Sequence, residues 1–250
     1  MKKTLPLTLL FVFITTLALA QADRFWSPNF SSRGSMATDK AVARLSFPKE
    51  FRLFNLSIDP LREELFKIVD NSAKRSTIIS LPNVSGALEQ FEVYEASNFE
   101  APLQARFPEI RAYSGKGITD KSAILKLSIS PQGIQTMIFR TETENEFIEP
   151  YSADHTVYAV FKSQREKGKL AWTCSTEEKQ YASDLRRQMP NSNITGSSAG
   201  ELKTMRLAQS CNGEYANWFG ATSSAQVALV LAAFNATLTR CNGCYEKDLA

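Results

Sequence analysis

The sequence predicts an α+β protein: a β-rich domain, either a sandwich or a curled sheet, followed by the first strand–helix unit of an incomplete α/β domain. Three observations lead there. Period-two alternation recurs in short runs at about 8–12 residue spacing from Phe51 to Lys162, with one clear helical pattern among them. A polar stretch, 175–202, separates that region from the C-terminal residues. The last stretch, 203–250, holds the longest apolar helical pattern outside the leader.

Composition bounds the rest. The 250 residues are 43% hydrophobic and 10% aromatic, which suits a globular chain and excludes general disorder. A net charge of +3, with no basic block interleaved with aromatics, gives no reason to expect nucleic acid as a partner. Met1-Lys2-Lys3, the apolar Leu5–Leu17 and Ala18-Leu19-Ala20 read as a secretory signal peptide over 1–20, with cleavage near Gln21. The expected protein is therefore secreted and, after cleavage, free of the membrane. The shortness of the leader leans bacterial, so the sequons at Asn29, Asn55, Asn83, Asn193 and Asn235 matter only in a host that glycosylates.

Residues 21–50 mix Ser, Arg and Pro without period and read as a partly ordered arm. Phe51–Leu56 alternates as a strand. Asp59-Pro60 reads as a helix start, Asp as N-cap and Pro at the first helical position, with an apolar face from Leu61 to Val69 and an end near Asn71. Ser76–Leu81 and Gln90–Glu95 form a hairpin around Pro82–Gly86. Ala101-Pro102-Leu103 opens a short turn or helix. Ile110–Tyr113 leads to Ala123–Ser130 and Ile134–Arg140, which flank the turn Ser130-Pro131-Gln132-Gly133. Glu146–Ile148 and Thr156–Lys162 complete a domain over 51–174. Residues 175–202 read as a linker, in which Arg186-Arg187 is a candidate processing site.

The final stretch opens with an extended Thr204–Ala208 and a turn at Asn212-Gly213. A helix capped from Thr222, Ser223 or Ser224 comes next, apolar nearly all round from Ala225 to Phe234, with Gly243 placed as its αL cap. Its apolar run of about ten residues is half of what a membrane span needs.

Candidate chemistry is sparse. With one histidine, His155, neither a three-histidine zinc site nor a histidine triad that omits it can be assembled. Glu63-Glu64, Glu142/Glu144/Glu146 and Glu177-Glu178 read as solvated strand edges or helix faces. No GxSxG, P-loop, strand-linked GxGxxG or EF-hand loop is present. Four cysteines in an oxidising compartment, Cys174, Cys211, Cys241 and Cys244, suggest disulfides with three pairings open. Cys241-Asn242-Gly243-Cys244 is a C-x-x-C with no second pair at zinc-site spacing.

The terminal motifs Arg206-Leu207-Ala208, Gly213-Glu214-Tyr215, Asn235–Leu238, Arg240, Asn242-Gly243 and Tyr245-Glu246-Lys247-Asp248-Leu249 resemble the start of the catalytic domain of bacterial reprolysin-like zinc metallopeptidases, relatives of the ADAM and snake-venom metzincins. Upstream, Phe51–Leu56, Ile79–Pro82, Phe107–Tyr113, Gly115–Ile118 and Ile148–Tyr151 resemble the propeptide of such precursors. The resemblance implies a secreted metalloendopeptidase acting on protein or peptide substrates, with zinc held by H-E-x-x-H-x-x-G-x-x-H. That motif is absent here, so the sequence supplies no catalytic or metal residue and is expected to be inert alone. The propeptide's implied partner is its own catalytic domain. Calcium is not carried over, because Arg206 stands where venom relatives place an acid. By the same resemblance Cys174 is a candidate latency thiol for the catalytic zinc. Structural pairing of Cys174 with Cys211, Cys241 or Cys244 is the competing expectation. A different class of function stays open beside the protease: a self-sufficient, secreted, non-enzymatic β-domain that binds or inhibits, with the last helix packing against it.

Overall fold

The computed structural model describes residues 25–44, 47–163 and 206–249. The stretches expected to be a signal peptide (1–20) and a linker (175–202), with Cys174, Arg186 and Arg187, lie outside them. Among the described residues nine strands form one antiparallel sheet in the order β1-β2-β9-β8-β7-β6-β5-β4-β3. They are β1 Trp26–Pro28, β2 Arg52–Leu56, β3 Ser76–Pro82, β4 Leu88–Glu95, β5 Arg111–Gly117, β6 Ile124–Ser130, β7 Gly133–Phe139, β8 Glu146–Pro150 and β9 Val157–Lys162. Four helices accompany them: α1 Ile58–Phe66, α2 Ala101–Arg106, α3 Gly213–Trp218 and α4 Val227–Leu249.

One sheet, not two facing sheets, settles the choice between sandwich and curled sheet. Trp26 of β1 and Ile79 and Leu81 of β3, from opposite edge strands, belong to the same buried cluster, so the sheet curls into a half-barrel. The inner face carries Leu125, Leu127 and Ile129 of β6, Ile148 and Val160, and packs on Leu61 and Leu65 of α1. Burying this much apolar side chain is the main stabilising term. On the outer face, Leu53, Ala159 and Phe161 pack under Phe51 and the arm residues Met36, Val42 and Phe47. Further along the same face α4 lies over β5, β6 and β7.

Turn chemistry fixes the registers. The β6–β7 turn leaves Pro131-Gln132 as its two-residue loop, with Ser130 paired to Gly133. Gly133 has φ +97°, and a β-carbon there would lie 2.3 Å from the Tyr158 hydroxyl oxygen, so glycine is required on both counts. That hydroxyl accepts from the Ile134 N–H at 3.2 Å, and burial of the ring raises the phenol to about 12.

Several local expectations are corrected. The arm is more regular than its composition suggests, since β1 pairs with β2 from Trp26↔Leu56 to Pro28↔Phe54. Helix α1 takes Ser57 at its N-cap position, without a side-chain cap, which puts Asp59 inside the first turn; the helix ends at Phe66 instead of near Asn71. Residues 206–210 form no strand. Gly243 does not stop α4, which runs through it to Leu249. Separately from these corrections, residues 211–249 lie in the same compact unit as the sheet.

Candidate functional site

On the outer face of β5–β7, Ser114, Lys126 and Ser128 alternate with apolar neighbours. In the fold this face is the seat of α4. Lys126 is buried, with 5% of its side chain exposed. Such a charge needs partners, and it has two: its ammonium donates to the Ser114 hydroxyl at 2.6 Å and pairs with Glu246 of α4 at 2.5 Å. Asn235 is only 2% exposed, and its amide nitrogen donates to the Arg111 carbonyl at 2.9 Å. From the β4–α2 loop, the Asn98 amide nitrogen donates to the Asn235 side-chain oxygen at 2.9 Å and to the Thr239 hydroxyl at 2.8 Å. The Asn242 amide in turn donates to the Asn98 oxygen at 2.9 Å. Asn235, Thr239 and Asn242 stand at i, i+4 and i+7, one stripe of the helix.

Farther across the sheet Glu149 receives two guanidinium groups, Arg44 at 2.5 Å and Arg240 of α4 at 2.9 Å. Arg240 also reaches the Thr136 carbonyl at 3.3 Å and lies 5.4 Å over the Phe147 ring. Near the helix end Gly243 allows the closest approach. A β-carbon there would stand 2.5 Å from Phe139 Cε2 and 2.8 Å from Lys126 Cγ. Lys247 covers the same Phe139 ring at 5.4 Å. In the apolar first half of α4, Val230 and Phe234 pack on their own segment, against Ala221, Tyr215 and Ala216. Val227 stays partly exposed, so burial of that run is incomplete.

Other charges are structural. Arg140 sits among Glu89 (2.7 Å), Asp120 (3.1 Å) and Glu146 (3.1 Å). Burial works against its charge, but the Glu89 and Glu146 carboxylates more than offset this and raise it above an ordinary arginine. Glu146 is thus a buried partner, not the solvated edge acid its sequence run suggests. Glu64 departs from that reading too: burial pushes its carboxyl up, yet bonds from Lys67, Thr77 and Lys74 win and bring it to about 2. His155 has φ 56°, and its Nε2 stands 3.2 Å from Asp39. Burial raises the Asp39 carboxyl, but the His155 contact and the Ala41 N–H hold it below the ordinary range.

Of the cysteines singled out by sequence, Cys211, Cys241 and Cys244 are exposed free thiols, none joined to another. The chain has one histidine, and among the described residues no three His, Cys, Asp or Glu side chains converge on a metal position. Among the described residues no helix is long and apolar enough to cross a membrane. The binding-module reading expects the last helix to pack on the β-domain, and it does so over β5, β6 and β7; the polar partners in that seat were not anticipated.

No family model, no curated protein and no solved structure matches this chain. The resemblance to metzincin precursors therefore rests on the motifs themselves.

Proposed function

We propose that the chain is the N-terminal part of a secreted zinc metalloendopeptidase precursor, whose β-rich domain is a propeptide that holds the start of its own catalytic domain. One observation supports this above others. Asn235, Arg240, Asn242-Gly243, Glu246 and Lys247 carry the resemblance to the opening of a catalytic domain, and they are also the residues that seat α4 on the sheet. A propeptide that templates and restrains its enzyme needs such a contact, polar enough to be undone. Buried polar groups that find partners, as all named here do save the Arg240 Nε, give a contact specificity more than net strength.

On this reading the protein and peptide substrates belong to the complete enzyme, and zinc to residues beyond this sequence. The reading frame after Ala250 provides the test. An in-frame H-E-x-x-H-x-x-G-x-x-H, together with a secreted zinc-dependent peptidase larger than 27.9 kDa, is the expected result. Absence of that motif in every frame would overturn it. The β-domain with its docked helix would then be a binding or inhibitory module, the reading that the compact packing of 211–249 on the sheet favours.

A further inference from the structure

Neither the fold nor the proposed function uses the two thiols on the outward side of α4. Cys241 and Cys244 are exposed and lie one turn apart in an unbroken helix. Between them the helix is fixed from below. Asn242 bonds Asn98 at 2.9 Å, and Gly243 meets Phe139 and Lys126 too closely for any side chain. Rolling the helix would break these contacts, and both thiols are exposed on it. We propose that Cys241 and Cys244 form a two-thiolate site for a soft monovalent cation, Cu(I).

Spacing and ligand count support this choice. Helical residues at i and i+3 hold their β-carbons roughly 5–6 Å apart. A disulfide requires about 3.5–4.5 Å, so joining the sulfurs directly would compress the very turn that Asn242 and Gly243 hold against the sheet. Two metal–sulfur bonds of about 2.3 Å each bridge the wider gap with the helix unchanged. A structural zinc site would want four ligands. Here no third His, Cys, Asp or Glu converges among the described residues, and the Glu246 carboxylate is engaged by Lys126. Thiolates select soft cations, and Cu(I) is satisfied by two of them. On binding, two S–H bonds break and two S–Cu bonds form, with both protons passing to solvent. No oxidant or reductant is consumed. The proposal is independent of the protease reading.

The test uses the full chain, reduced and kept anaerobic, with Cu(I) supplied as its coloured bicinchoninate complex. The expected result is withdrawal of one ion per chain with an unchanged far-UV helix signal, and the same uptake by a Cys174→Ser/Cys211→Ser variant. Cys241→Ser and Cys244→Ser should each weaken uptake by about 100-fold or more, beyond the loss typical of an outer-shell partner. Both positions are exposed, so the helix signal of the serine variants verifies folding. No withdrawal of copper, uptake that depends on Cys174 or Cys211, loss of helix on loading, or tighter binding of Zn(II) than of Cu(I) would each overturn the proposal.

Discussion

Glu64 ties α1 to the edge strand β3: its carboxylate accepts from Thr77 and pairs with Lys67 at 2.6 Å and Lys74 at 3.3 Å. These bonds outweigh the burial that would raise its pKa, and the folded value falls from 4.5 to about 2. The folded state therefore binds its proton more weakly than the unfolded chain. Stability from Glu64 is fully present above about pH 4.5 and is lost as the pH drops toward about 2. Removing that charge should cost roughly 2 kcal/mol near neutral pH, the scale of hydrogen bonds to a charged group. Urea midpoints of wild type and Glu64→Gln, measured from neutral pH downward, should differ most at neutrality and converge in acid. A constant difference across that range would refute the assignment. The whole constellation is invisible in the sequence, because Glu63-Glu64 looks like any solvated helix face until β3 is folded beside it.

At the scale of elements, α4 and its seat give the sharpest case. Gly243→Val removes a flexible glycine, a modest gain within a helix. It also drives a branched side chain into Phe139 and Lys126. Overpacking costs about 1–3 kcal/mol and should prevail, lowering the melting temperature and raising amide exchange in α4 before the sheet is affected. An unchanged melt would mean that the helix does not sit this close. The strands β2–β9 and the Pro131-Gln132 turn were readable from alternation and turn residues, whose causes are local. The partner of the outer face was not. Ser114, Lys126 and Ser128 on the sheet, and Asn235, Thr239 and Asn242 on the helix, each make a polar surface that local pattern does not distinguish from one facing water. Here two such surfaces face one another. Alternation tells which residues share a side, not what covers it. Likewise β1 is too short to show a period, and pairing between β2 and β9, from Arg52↔Val160 to Asn55↔Val157, has no local signature.

For the whole molecule, the inner core and the outer seat share strand β6. Leu125, Leu127 and Ile129 point inward, while Lys126 and Ser128 lie on the side of α4. A cavity made on one face should therefore be felt on the other. Leu127→Ala, at a fully buried position, should cost about 2–5 kcal/mol. The loss should appear together in the amide protection of β6 and of α4, in a single transition; separate transitions would mean that the helix is only a loose appendage. The contacts of α4 also reach far back along the chain: Asn235 bonds residues 124 and 137 positions before it. Contacts over such separations form late, after the loops between them have closed. Synthesis proceeds from the N-terminus, so every strand of the sheet is made before the first turn of α4. The order of translation thus presents the helix, at birth, with a surface already shaped to receive it.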